Sequence, residues 1–200
     1  DLALKALEVE KGDEIIVTPR SYIASVSSVV NAGAVPIFAD VDLNSGNINA
    51  ESIKKVISKK TKGIICVHLG GFPCEMDEIV KLSRKQNIFI IEDCSQAHGA
   101  IYKGKPVGSI GDIGTWSFCQ DKIITTAGEG GMVTTNNQIL FKKMRSYKDH
   151  GKNFKKVMES KKSNSIGFKY VHDNFGTNFR MTEIQAAIGI IQSKELKKWN

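Results

Sequence analysis

Short apolar runs alternate with amphipathic stretches along the whole chain. Glu14–Thr18, Val35–Phe38, Gly63–Val67, Ile88–Glu92, Gly114–Phe118 and Gly131–Thr135 have the length and apolar density of buried strands. Between them the pattern predicts helices over Ile23–Asn31, Ala50–Ser58, Glu75–Gln86 and Asn137–Tyr147. In the third, Met76, Ile79, Val80 and Ser83 recur at i, i+3, i+4, i+7, so one face is mostly apolar. Met181, Ile184, Ile188 and Ile191 form a similar stripe. Thr182 and Gln185 beside it have the spacing of a capping box, which predicts a helix start there. The polar, lysine-rich segment Lys152–Gly167 reads as a long loop or insertion. Asp1–Leu7 reads as the end of a helix already under way, as expected of a fragment whose beginning lies upstream.

Alternation of strand and helix at this spacing predicts right-handed crossovers and a mainly parallel sheet covered on both faces, a three-layer α/β sandwich. No repeat is evident and no linker divides the chain before about Gly151, so residues 1–200 are expected to form one domain. In such sheets ligands gather beyond the carboxyl ends of the strands. That rule directs attention to Pro19–Tyr22, Asp40–Asp42, His68–Gly71, Asp93–Gln96 and Cys119–Lys122.

Composition narrows the class. The chain is 41% hydrophobic and 24% charged, and no apolar run approaches the roughly 20 residues of a membrane-spanning helix. The four cysteines, Cys66, Cys74, Cys94 and Cys119, show no Cys-x-x-Cys pair, which favours a reducing, cytoplasmic setting. Cys66, His68 and Cys74 could be assembled into a zinc site, but their spacing matches no usual ligand pattern. The net charge of +7 comes largely from the stretch between Lys142 and Lys169. That stretch carries neither a nucleic-acid motif nor interleaved aromatics, so nucleic acid is not an expected partner. It reads as a solvated helix face followed by a loop, with attraction of a diphosphate-bearing substrate as a second role.

Two features carry chemistry. Ile88-Phe89-Ile90-Ile91 ends in Glu92-Asp93, and an acid half inside a sheet must find a donor or a positive partner. Asp93 can cap the turn that follows, or it can face a protonated heterocyclic nitrogen. Lys122 stands just past the strand ending at Phe118 and before the glycine-rich turn Gly128-Glu129-Gly130-Gly131. It is either a surface lysine before a hairpin or an amine placed to form an imine with a carbonyl.

Several blocks, in their order along the chain, resemble the DegT-type (DegT/DnrJ/StrS) nucleotide-sugar aminotransferase family. They include Gly12–Ile16, Phe38–Asp42, Val67–Asp77, Ile91–Ala100, Gly108–Asp112, Ser117–Lys122, Gly128–Gly131 and Asn178–Ala187. Together they cover nearly all of the chain outside the lysine-rich segment. The resemblance implies the large domain of a fold type I pyridoxal-phosphate (PLP) enzyme, like that of aspartate aminotransferase. It implies that Lys122 is the Schiff-base lysine, that Asp93 pairs with the pyridinium nitrogen and that Gln96 bonds the ring hydroxyl. By the same resemblance Ser117 binds the cofactor phosphate, Tyr22 stacks on the ring and Asn178 reaches the phosphate of a neighbouring subunit. The implied protein is a homodimer with shared active sites that moves an amino group, from L-glutamate by family habit, to a nucleotide-linked keto sugar for polysaccharide, lipopolysaccharide or related amino-sugar synthesis.

The pattern departs from the family in places. Position 127 is Ala where relatives often carry Gly, and the family's phosphate-binding Gly-Ser/Thr turn and small C-terminal domain match nothing between Asp1 and Asn200. Sugar dehydratases of the same fold carry histidine where Lys122 stands, so the lysine argues against that class. A PLP-binding regulatory or sensor protein of the same fold remains an alternative to an enzyme. A nicotinamide-binding Rossmann domain fits less well, since Gly108, Gly111 and Gly114 do not make Gly-x-Gly-x-x-Gly behind an N-terminal strand.

Overall fold

In the computed structural model, which describes residues 1–162 and 171–199, the strands and helices alternate through the first half of the chain. Helix α1 (Leu2–Ala6) leads to β1 (Glu14–Val17), α2 (Ala24–Asn31), β2 (Val35–Phe38), α3 (Ala50–Val56) and β3 (Thr61–Val67). Then come α4 (Met76–Gln86), β4 (Phe89–Asp93), a small hairpin of β5 (Ile101–Tyr102) and β6 (Lys105–Pro106), and β7 (Ile113–Ser117). The chain ends in β8 (Gly131–Thr134), α5 (Gln138–Tyr147), α6 (Phe154–Lys162) and α7 (Glu183–Trp199). The six expected strands and the first four expected helices are present, with bounds that differ by at most two residues.

Six strands form one sheet in the order β2-β1-β3-β4-β7-β8. The pairings from β2 through to β7 are parallel, whereas β8 runs antiparallel to β7. Successive residues of a strand point to opposite faces, and the two faces of this sheet support separate cores. Ile16, Ile64, Cys66, Ile90 and Cys94 pack with Ile53 of α3 and Met76, Ile79 and Leu82 of α4. Ile15, Val17, Ile65, Val67, Ile91 and Ile113 pack with α1, Val29 of α2 and Leu140 and Met144 of α5. These are the three layers that the unbroken apolar strands require.

Local chemistry sets the helix ends. Asn49 accepts from the Ser52 amide at the start of α3, and Asn137 accepts from the Ile139 and Leu140 amides at the start of α5. Helix α4 stops at Asn87, whose φ of 54° lies in the left-handed region that asparagine tolerates.

Two expectations are corrected. Part of the lysine-rich segment is a helix, α6, not a loop. Phe154, Val157 and Met158 supply apolar positions at i, i+3, i+4; Val157 is buried, and the Arg145 guanidinium lies 4.0 Å over the Phe154 ring. The rest of that segment, 163–167, falls outside the described residues. Helix α7 begins as Thr182 and Gln185 indicate: each side chain accepts from the other's backbone amide, at 3.0 and 3.3 Å. It presents a different face from the expected apolar stripe, however. Gln185, Ile188, Gly189 and Gln192 are partly covered, while Ile184 and Ile191 stand 76% and 64% exposed. Among the described residues, no helix is long and apolar enough to cross a membrane.

Candidate active site at the carboxyl edge of the sheet

Strands β1, β3, β4 and β7 are parallel, so their carboxyl ends open on one edge. Asp93 is the last residue of β4 and pairs in register with Thr115 of β7. Ser117 therefore stands two residues further along, about 7 Å beyond on the neighbouring strand. One Asp93 oxygen, Oδ1, accepts from the Ser95 amide at 3.1 Å, which is the turn-capping bond anticipated for an acid here. The other, Oδ2, accepts from the Ser25 hydroxyl at 3.0 Å. Both oxygens are thus held by neutral donors, and each retains acceptor capacity. A cavity of about 270 Å³ adjoins this carboxylate, lined in part by Ser25, Ile91, Asp93, Ser95 and Thr115.

Gln96 lies in the turn after Asp93. Its Oε1 accepts from the Gly70 amide at 2.7 Å, joining the loop after β4 to the one after β3. Gly70 makes this possible with φ 60°, a conformation that costs glycine little. Tyr22 lies in the turn between β1 and α2 and is 75% exposed.

Lys122 reaches the same edge through the β7–β8 turn. Its amide donates to the Cys119 carbonyl at 3.1 Å, and its Nζ lies 3.4 Å from Asp121 Oδ1. The Lys122 side chain is 21% exposed and that of Asp121 71%, so the pair sits at the rim. The Cys119 thiol and then Lys122 hold the Asp121 carboxyl below its ordinary range. Ser117 Oγ accepts from the Cys119 amide at 3.3 Å. His98 is buried against Trp116 and Phe118, with ring centroids 5.5 and 5.8 Å away. Burial lowers its pKa, and the nearby Lys122 charge pushes the same way against a hydrogen bond to the Ser117 backbone. Ala127 in this turn has φ 60°, followed by Gly128 at φ 132°. The alanine thus adopts the left-handed backbone that would explain glycine at this position in relatives.

Helix α7 braces the turn with its polar face. Gln185 Nε2 donates to the Glu129 carbonyl at 2.7 Å, and Gln192 Oε1 accepts from the Thr125 amide at 3.5 Å. Between them, a Cβ on Gly189 would lie 2.9 Å from Thr126 Cγ2.

Asn178 lies apart from this group. It bridges to Asp149, and its Oδ1 accepts from the Arg180 amide at 3.3 Å, so within the chain it satisfies its own turn. The segment is fastened by Asp149, whose carboxylate receives the Arg180 guanidinium and, at 3.1 Å, Lys152 Nζ. Burial raises the Asp149 pKa, but these two cations outweigh it and leave the group lowered.

Behind the edge, His68, Glu92 and Cys94 bring potential metal-ligating atoms within 4.8 Å of one another, all buried. The acceptor atoms of His68 and Glu92 are already engaged. His68 Nδ1 accepts from the Cys74 amide at 3.1 Å, so the ring proton is on Nε2 and is donated to Glu92 Oε2 at 3.0 Å. Glu92 also receives the amides of Gly108, Ile110 and Gly111 at 2.8, 2.8 and 2.6 Å. Burial raises the pKa of this carboxyl, yet His68 and the three amides together leave it lowered. Burial pushes the Cys94 thiol up to about 11, keeping it protonated. The cluster is a hydrogen-bonded lock between β3, β4 and the 108–111 loop.

The structure therefore brings Asp93, Gln96, Ser117 and Lys122 to one edge, sets Tyr22 at its mouth and leaves Asn178 apart. Ser25 and His98 are the neighbours that the sequence did not announce. Ser25 is an unremarkable helix serine 68 residues from Asp93, and only its i, i+4 spacing from Ser21 hints at a shared polar face.

The whole chain, residues 1–200, matches the DegT/DnrJ/EryC1/StrS aminotransferase family. It is 45% identical over 194 residues to GDP-perosamine synthase of Escherichia coli O157:H7, covering 97% of this chain and 50% of that protein. An aminotransferase of Psychrobacter cryohalolentis superposes with a TM-score of 0.95 at 59% identity, over 98% of this chain and 49% of the other. Spr1654 of Streptococcus pneumoniae, assigned as a sugar aminotransferase and solved in a PLP form, superposes with a TM-score of 0.85 at 29% identity, over 98% and 53% of the two chains. The chain spans about half the length of the curated relatives it matches. With a family match over its full length, the chain belongs to the DegT/DnrJ/EryC1/StrS aminotransferase family.

Proposed function

We propose that residues 1–200 are the cofactor-binding large domain of a cytoplasmic PLP-dependent aminotransferase. In this reading the enzyme transfers an amino group from L-glutamate to a nucleotide-linked keto sugar, in cell-surface polysaccharide, lipopolysaccharide or related amino-sugar synthesis. One observation carries the proposal: an acid at the end of β4 and a lysine on the adjoining β7–β8 turn lie at one edge of the sheet, where the turn after β1 carries the exposed Tyr22.

The donor set suits the cofactor. Asp93 has acceptor capacity for a ring N–H, Lys122 supplies the amine for the carbonyl, Ser117 a hydroxyl for the phosphate and Tyr22 a face for the ring. Gln96, fixed by Gly70, is within the same loop to meet the ring hydroxyl. When bound, PLP supplies the electron sink that makes the substrate C–H bond acidic. Asp93, oriented by its two neutral donors, would face the ring nitrogen and hold its proton in place. Lys122 would hold the cofactor through its amine at rest and, once free, would take the proton from the substrate carbon as a general base and return it as a general acid. Asp121 beside it offers a rim carboxylate that would orient the Lys122 amine while it is free of the cofactor. Asn178, whose side chain caps its own turn, is proposed to reach the phosphate across a twofold interface.

The relatives named for sugar amination support the substrate class. The test uses the full-length protein with glutamate and a panel of nucleotide-linked keto sugars, reading 2-oxoglutarate release. The purified protein is expected to show absorbance at 400–430 nm that borohydride removes. Lys122→Ala should lose both that trappable band and turnover while folding normally; a variant that keeps the band shows that another amine holds the cofactor.

A further inference from the structure

The acid at the end of β4 is fastened by a second element as well as by its own strand. Ser25, 6% exposed in α2, donates its hydroxyl proton to Asp93 Oδ2 at 3.0 Å. Ser21 Oγ lies 2.8 Å from Ser25 Oγ. A hydroxyl has one proton to give. Since the carboxylate can only accept, the Ser25 proton is spent on Asp93 and the proton between the serines comes from Ser21. The direction of the chain is therefore fixed: Ser21 to Ser25 to Asp93. With Ser95 N–H on Oδ1 and Ser25 on Oδ2, the carboxylate cannot rotate without giving up two bonds.

The same serines control the aromatic at the mouth. Ser21 immediately precedes Tyr22, and the Ser25 amide donates to the Tyr22 carbonyl at 3.1 Å. A shift of this turn would therefore move Tyr22 and loosen Asp93 together.

We propose that Ser25, oriented by Ser21, is a positioning residue that sets the rotation of the Asp93 carboxylate beneath the cofactor ring and couples it to the turn carrying Tyr22. The inference rests on the proposed role of Asp93. It explains why a polar side chain is buried on the helix face that packs against the sheet, where an apolar residue would be the default.

The test measures cofactor affinity, not turnover. PLP is titrated into full-length apo-protein, and binding is read from the cofactor's absorbance. Ser25→Ala favours helix, so α2 should persist. A hydrogen bond to a charged group is lost, and affinity should fall by about ten-fold or more. Ser25→Thr should bind close to wild type, and Ser21→Ala should show a smaller loss, about three-fold, because it loosens Ser25 without removing it. In an Asp93→Ala background, adding Ser25→Ala should change affinity by less than about two-fold, since the bond no longer exists to be broken. Three results would overturn the inference: no loss in Ser25→Ala when Asp93→Ala is weakened, an equal loss with and without the Asp93 carboxylate, or a Ser25→Thr protein that melts like wild type yet binds no better than Ser25→Ala. If Asp93→Ala itself binds PLP normally, the role given to Asp93 under the proposed function fails, a result separable from the others.

Discussion

Glu92 and Asp93 leave β4 on opposite faces, and their surroundings give two adjacent carboxylates opposite tasks. Glu92 is wholly enclosed and takes four donors, whereas Asp93 takes two and keeps room for a ligand. Because the folded pKa of Glu92 lies below its ordinary 4.5, its contribution is complete above that value and is lost as pH falls through the folded pKa. Glu92→Gln should cost about 3 kcal/mol at neutral pH, since amides built around a carboxylate lose their partner. Below pH 4.5 the gap between variant and wild type should narrow. Urea unfolding at a series of pH values checks both, and a gap that widens in acid would contradict the assignment. Asp93→Asn should leave the fold and most cofactor affinity in place but slow turnover on the order of 100-fold, because an amide contacts the ring nitrogen without holding its proton. Equilibrium titration and steady-state rates separate the two effects, and near-normal turnover would reject the role. Asp93 stands out in sequence because an acid at the end of a buried apolar strand is costly unless it finds a partner. The division of labour with Glu92 was not, since it depends on amides 16 to 19 residues away.

At the scale of elements, periodicity located the strands and the sheet-facing helices because burial on a sheet imposes the period directly. It failed where something other than apolar area decides the contact. Helix α6 hides behind its lysines, although Phe154, Val157 and Met158 carry the helical spacing. Helix α7 approaches the site through two glutamines and a glycine, while its isoleucines at 184 and 191 remain exposed. Polar contacts to backbone groups outrank a hydrophobic stripe there, because the turn after Lys122 has unpaired amides and carbonyls to satisfy. Gly189→Val should expose this arrangement. A side chain would be forced onto Thr126, at a cost of about 1–3 kcal/mol, and amide exchange across residues 125–130 should accelerate. Unchanged exchange there would show that α7 does not support the turn.

For the whole molecule, the alternation of strands and helices made the parallel sheet legible, and the rule that ligands gather at carboxyl ends pointed to the edge where Asp93, Gln96, Ser117 and Lys122 lie. The dimer is what family resemblance implies; within the chain the Asn178 side chain accepts from the Arg180 amide of its own turn. If Asn178 serves the partner's site, mixing Asn178→Ala protein with Lys122→Ala protein should give heterodimers with one site damaged twice and one intact. Activity should then return to about a quarter of wild type after subunit exchange at equal amounts. Demonstrated heterodimers with no recovery would put Asn178 outside the partner's site. The reversal of β8 against the parallel strands, which apolar patterning could not reveal, has a consequence for how such a site can change. A parallel strand after β7 would have needed a crossover returning the chain to the far edge, with the lysine's path committed to a covering helix. A hairpin instead enters and leaves at the same edge, so the segment between Ser117 and Gly131 is a removable cassette on a fixed frame. Exchanging that cassette between homologues, with the α7 face that braces it, would transplant Lys122 and its surroundings while the sheet stays as it is.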